Sequence, residues 1–201
     1  MTTRQQYLEH FVSRLDDELI LTSVGASARE LQALAPRDGS LYRVHLGGTT
    51  SMALGLALAL PHRRVVAFEG DGGVLMGLSS LTVVGRQQPP NLTVVVFDNG
   101  LYEGGGRLPS ITSQGTDIVA VARGAGITDA VRVSGVDAFA AALDDAFASG
   151  GTGYVVAATE PGSQQPYASL DGTENKYRFI GHIEATEGVQ VLQGPGRSSI
   201  R

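Results

Sequence analysis

The run Leu92–Phe97, Leu-Thr-Val-Val-Val-Phe, constrains the fold more than any other stretch of the chain. It is apolar or β-branched on both faces, so it reads as a strand that water touches on neither side. That is the pattern of a parallel sheet covered above and below. Shorter runs of the same kind stand at Leu19–Val24, Tyr42–Leu46, Val65–Phe68, Ala130–Val133 and Tyr154–Ala158. Helical segments separate them. Thr3–Leu15 puts Tyr7, Leu8, Phe11, Val12 and Leu15 on one face, Ser27–Ala35 stops before Pro36, and Thr50–Leu60 stops at Pro61. Gly77–Gln87, Thr116–Gly124, Val136–Ser149 and Asn175–Glu187 complete the set. Repeated strand–helix order predicts an α/β fold, a mainly parallel sheet with helices on both faces. The 201 residues suit a single domain, expected over residues 1–190, with a flexible tail at 191–201. Sheets of this kind hold ligands beyond the carboxyl ends of their strands, so chemistry is expected in the turns after Val24, Val44, Phe68 and Phe97.

Composition removes several classes. There is no cysteine, which excludes a disulfide framework, a Cys-ligated zinc and a thiol nucleophile. A net charge of −5 and 6% aromatic residues argue against a nucleic-acid surface. The longest apolar stretch, Met52–Leu60, is too short for a bilayer, and Met1–Arg4 opens polar with no apolar run behind it. A cytoplasmic protein without membrane contact is expected. A P-loop is absent, and Gly70-Asp71-Gly72 continues to Leu75 where a dinucleotide fingerprint needs glycine.

Two turns carry chemistry. Val65–Phe68 leads into Gly70-Asp71-Gly72-Gly73, and Leu92–Phe97 leads into Asp98-Asn99-Gly100-Leu101. An acid at one strand end and an amide at another supply the oxygen ligands that Mg²⁺ prefers, with phosphate oxygens and water completing its shell. Glycines beside the acid let backbone N–H groups approach a diphosphate. Gly70–Gly73 alone is also what a tight strand-to-helix turn requires.

One helix and one buried strand separate Gly72 from Asn99. This arrangement resembles the signature of thiamine-diphosphate-dependent enzymes. Thr22–Leu31, Leu46–Leu60, Val65–Leu78 and Val94–Gly106 are similar to segments of that family in the same order. The likeness spans about Leu19–Ala158 and is strongest to the diphosphate-binding domain of the sulfopyruvate and phosphonopyruvate decarboxylase branch. It implies Mg²⁺ held by Asp71, the Asn99 side chain and the Leu101 carbonyl, with Gly70 in the same turn. It implies Gly72 and Gly73 amides facing the diphosphate, Gly25–Ser27 closing over the phosphates, and Leu46 as the wedge that bends the cofactor. The Val44 carbonyl would accept from the cofactor's 4′-amino group. His45, beside the wedge, is either a proton shuttle or a structural strand-end histidine. Arg107 is a candidate contact for an anionic substrate group, at a point where the family more often has Gln. Glu69 is expected to point away from the metal and to form an ion pair, and Lys176, Arg178 and His182 to lie on a charged outer helix face.

The family's essential Glu, which hydrogen-bonds the cofactor's pyrimidine and so promotes proton removal, sits in a separate pyrimidine-binding domain. A chain of 201 residues leaves no room for one. The resemblance therefore implies an α-type partner chain carrying that domain, in a hetero-oligomer with the cofactor between the two. The implied reaction is decarboxylation of a small 2-oxo acid to an aldehyde and CO₂, with sulfonate or phosphonate on C3. Two other readings stay open: carboligation, as in acetolactate synthase relatives, and a non-catalytic Mg²⁺/diphosphate-binding module.

Overall fold

The computed structural model describes residues 2–163, 165 and 171–192. Six strands form one parallel sheet: β1 (Leu19–Ser23), β2 (Ser40–Val44), β3 (Val65–Gly70), β4 (Leu92–Asp98), β7 (Val131–Val133) and β8 (Gly153–Ala158). Their order is β2-β1-β3-β4-β8-β7. Side chains alternate between two cores, as a period of two demands. Val65, Ala67, Val94 and Val96 face one side, where α3 (Thr49–Ala59), α5 (Ser80–Gln87), α6 (Ile118–Gly124) and α8 (Gly172–Glu187) pack. Val66, Phe68, Val95 and Phe97 face the other, under α1 (Arg4–Val12), α2 (Ala26–Leu34) and α7 (Val136–Ala148). Phe68 and Phe97 stack there with centroids 5.7 Å apart, locking β3 beside β4. The fold class read from the sequence is the one observed.

Three local differences matter. First, β2 ends at Val44, two residues short of the expected Leu46. Arg43 turns into the left-handed region (φ 59°) and the β1–β2 register shifts, so the chain from His45 onward leaves the sheet. Second, the helix expected over 77–87 starts only at Ser80, as α5, and a separate short helix precedes it. That short helix, α4 (Asp71–Met76), begins inside the glycine turn. A break at Gly77 follows, where an added Cβ would lie 2.2 Å from the Gly47 carbonyl. Third, the glycine-rich loop after β4 holds an antiparallel ribbon of β5 (Leu101–Tyr102) and β6 (Leu108–Pro109). The tail beyond residue 192 and residues 164 and 166–170 of the preceding loop lie outside the described residues. The last helix differs too: Arg178 donates to the Ser40 carbonyl and lies over the Tyr42 ring, so it packs inward and not on an outer face.

Gly85 on α5 touches the backbone after α6, and an added Cβ would sit 1.9 Å from the Ala125 carbonyl. Backbone cannot yield as a side chain tip can. Gly85→Ala is expected to destabilise the chain by about 1–3 kcal/mol in urea denaturation, through overpacking. Among the described residues, no helix is long and apolar enough to cross a membrane.

Candidate functional site

The chain places β2 on one side of β1 and β3 on the other, so the strand order reverses between β1 and β3. A crevice opens at such a switch point, beyond the carboxyl ends of the strands. Here it is a cavity of about 710 Å³, bordered by the ends of β1, β3 and β4.

Gly70 pairs with Phe97 across β3 and β4, so Asp71 and Asn99 emerge side by side at adjacent strand ends. Both line the cavity. Asp71 is 2% exposed. Its Oδ2 accepts from the Ser110 hydroxyl and from Thr112 Oγ1 at 3.0 Å. Thr112 Oγ1 also lies 2.9 Å from Asp98 Oδ1, and Arg132 balances Asp98 at 2.6 Å. Asp71 has no cation of its own among the described residues. Burial pushes its carboxyl above the usual range, the Ser110 hydroxyl pulls it partly back, and the charge of Asp98 raises it again. Asn99 Oδ1 accepts from the Leu101 N–H at 2.9 Å, which keeps one lone pair free and starts the ribbon.

The glycines have local reasons. An added Cβ at Gly72 would fall 2.4 Å from the Tyr102 ring, and one at Gly73 would fall 2.3 Å from Glu69 Oε2. The carboxyl of Glu69 thus fills the space that a side chain at 73 would need. Glu69 makes no ion pair among the described residues. Instead its Oε1 accepts from the Thr50 N–H at 3.1 Å, in the first turn of α3, where a helix welcomes a carboxylate. Its Oε2 has no hydrogen-bond partner among the described residues, and burial pushes its carboxyl up to about 7 against the pull of the Thr50 and Thr49 donors.

Gly25, Ser27, Leu46, Leu101 and Arg107 also border the cavity. Gly25 stands at φ 129°, a conformation that favours glycine, and leads into α2. Leu46 is 40% exposed into it. Val44 and His45 are not brought there. The Val44 carbonyl is spent on the Val24 N–H at 2.7 Å. The exposed His45 ring lies over Gly48 and borders a separate, smaller depression with Arg43 and Lys176. Both placements follow from the early end of β2.

The sequence reading missed Arg4, Glu103, Ser110 and Thr112. Arg4 did leave a signal, since positions 4, 7, 8 and 11 share one helix face and the other three are core. Ser110 and Thr112 left none, because hydroxyls are ordinary in polar loops.

Residues 25–157 match the family described as "Thiamine pyrophosphate enzyme, C-terminal TPP binding domain". The chain belongs to the thiamine pyrophosphate enzyme family. Thiamine pyrophosphate is another name for thiamine diphosphate, and Mg²⁺ is the usual partner of its diphosphate in this domain. The domain is 37% identical over 163 residues to a phosphonopyruvate decarboxylase of Streptomyces viridochromogenes, covering 80% of this chain and 41% of that one. It is 33% identical over 192 residues to a sulfopyruvate decarboxylase subunit beta of Methanothermobacter thermautotrophicus, covering 93% of this chain and 99% of that one. The chain therefore spans under half of the Streptomyces relative and nearly all of the archaeal subunit. Its fold is also that of benzoylformate decarboxylase from Polynucleobacter necessarius, with a TM-score of 0.66 and 20% identity over 81% of this chain and 34% of that one.

The residues of this thiamine pyrophosphate domain suit the coenzyme. A buried carboxylate, without a counter-cation among the described residues, stands beside an amide oxygen on the cavity wall, a hard-oxygen pair of the kind Mg²⁺ selects. No three His, Asp or Glu side chains cluster as a metal cage among the described residues. A cation here would need further oxygens, such as those of a diphosphate.

Proposed function

We propose that the chain is the diphosphate-binding subunit of a thiamine-diphosphate-dependent decarboxylase acting on a 2-oxo acid with a second anion on C3, sulfopyruvate or phosphonopyruvate. The single observation that carries the reading is the Asp71–Asn99 pair at adjacent strand ends, inside the cavity that Arg107 also borders. In this reading Asp71, Asn99 Oδ1 and the Leu101 carbonyl hold Mg²⁺. The amides of Gly72 and Gly73 and the Gly25–Ser27 turn hold the diphosphate, and Leu46 supports the thiazolium. When bound, the coenzyme supplies the electron sink into which the carboxylate of a 2-oxo acid can be released as CO₂. The chain's own part is to hold the anionic end, exclude water with Leu46 and Tyr102, and present Arg107 to the substrate.

The Glu that must meet the pyrimidine is assigned to a partner subunit with a pyrimidine-binding domain. Both glutamates on the cavity wall are engaged elsewhere: Glu69 with Thr50, and Glu103 with Arg4 and Gly162. The cavity's rim is apolar and exposed at Val24, Leu46 and Leu108, the last 62% exposed. Rims of that kind suit a covering protein surface. The relatives named subunit beta support the same view.

The test is product analysis after co-expression with the pyrimidine-domain chain, using sulfopyruvate, phosphonopyruvate and pyruvate. CO₂ and the matching aldehyde are expected from an acid with a C3 anion. A carboligation product, or no CO₂ from any of the three, refutes the reading. Arg107→Ala is expected to raise KM for the C3-anionic acid by about 10- to 100-fold, the value of a charge-assisted contact, with a smaller change in kcat.

A further inference from the structure

We infer that Arg4 and Glu103 form a latch that pins the β5–β6 ribbon across the cavity and leaves the charge of Arg107 uncompensated. Arg4 is the first residue of α1, yet it is only 5% exposed. Its guanidinium forks onto Glu30 of α2, Nε to Oε2 at 2.8 Å and a terminal nitrogen to Oε1 at 3.4 Å. The other terminal nitrogen donates to Glu103 Oε2 at 3.3 Å, and a remaining proton reaches the Gly162 carbonyl at 2.9 Å. The second oxygen of Glu103 accepts from the Gly162 N–H. One side chain thus joins α1, α2, the ribbon and the segment that follows β8.

The ribbon depends on that anchor. Gly104, Gly105 and Gly106 follow Glu103, and glycines supply no stiffness of their own. Arg107 holds a left-handed conformation at φ 60°, and its N–H closes the turn on the Tyr102 carbonyl at 3.0 Å. Glu103 is the sole acid between Asn99 and Ser110, on the same short turn as Arg107. It is the natural counter-ion for that arginine, and the latch draws it away to Arg4. Arg107 has no ion pair among the described residues. Arg4 and Glu103 are therefore positioning residues. The consequence for substrate rests on the function proposed above, whereas the latch itself does not.

Three variants test it: Glu103→Ala, Arg4→Lys and the double. Glu103→Ala spares the buried Arg4–Glu30 pair, so folding is retained. Arg4→Lys keeps a charge opposite Glu30 but lacks the fork that reaches three partners. Amide hydrogen exchange over residues 102–107 in the full chain, without coenzyme, is expected to speed up about 10-fold or more in each single variant. The double is expected to be no faster than the faster single, because both break one unit. Unchanged exchange in either single, or effects that add, overturns the latch. In the assembled enzyme, Arg4→Lys frees a carboxylate that Glu103→Ala deletes. KM for the C3-anionic acid is expected to rise about 10-fold in Arg4→Lys and to fall back in the double. Equal KM in all three overturns the claim about the charge of Arg107. Faster exchange beside a wild-type complex that decarboxylates nothing supports the latch and refutes only the proposed reaction.

Discussion

Asp71→Asn is expected to lower turnover of the assembled enzyme by about 10²–10³-fold, the usual loss when one preorganised charged contact at a reacting centre is removed. The same substitution is expected to stabilise the coenzyme-free chain. The two effects share one cause. Asp71 is buried, has no cation of its own among the described residues, and stands near Asp98, so its carboxyl lies above the ordinary range. A folded state that holds the proton more tightly than the unfolded chain is favoured at low pH. It loses that advantage as pH climbs from the ordinary carboxylate range through the raised value. Asn carries no charge and still accepts from Ser110. The variant should therefore melt above wild type at about pH 8 without Mg²⁺ and coenzyme, and the gap should close toward about pH 4. Adding both ligands should reverse the order, because binding stabilises only the chain that can hold them. Thermal melts under the four conditions decide the matter, and a variant that keeps wild-type turnover contradicts the assignment of Asp71.

Glu69→Gln is the second large effect, and it is one of stability. The Glu69 carboxyl is pushed from 4.5 to about 7 by burial. At about 1.4 kcal/mol per pH unit, that costs the folded chain about 3 kcal/mol once the group is ionised. The direction follows from the raised value. The stability is fully present below the unfolded value of 4.5 and is lost as pH rises through about 7. Gln keeps an acceptor for the Thr50 N–H and carries no charge. Urea denaturation of the coenzyme-free chain across this range should show wild type weakening with pH while Glu69→Gln stays level. Parallel slopes for the two proteins would mean that Glu69 is not the group responsible.

Much of the fold was legible because burial on both faces leaves a plain trace. Leu92–Phe97 has no polar face, and β4 lies in the sheet interior between β3 and β8. The Asp71–Asn99 proximity was legible for a related reason, since two turns that end adjacent parallel strands must meet. What failed rests on contacts between distant segments. Arg43 takes a left-handed conformation that no residue type announces, and it carries His45 and Val44 away from the cavity. Gly70–Gly73 reads as a turn, yet Asp71 already opens α4, and the Tyr102 ring and the Glu69 carboxyl occupy the room that the missing side chains of Gly72 and Gly73 leave. Glu69 was expected to find a cation, and a helix N-terminus took that place. Strand alternation gives a direction and is silent about which partner waits there.

The greasy border around the cavity has a bearing on how such a chain is made in the cell. Val24, Leu46 and Leu108 are open to water whenever nothing lies over them. Copies synthesised in excess of their cover would meet one another through the same spots, and clumping or proteolytic clearance would follow. In the proposed two-chain assembly, balanced output of the two chains would then be as much a requirement as any residue inside it.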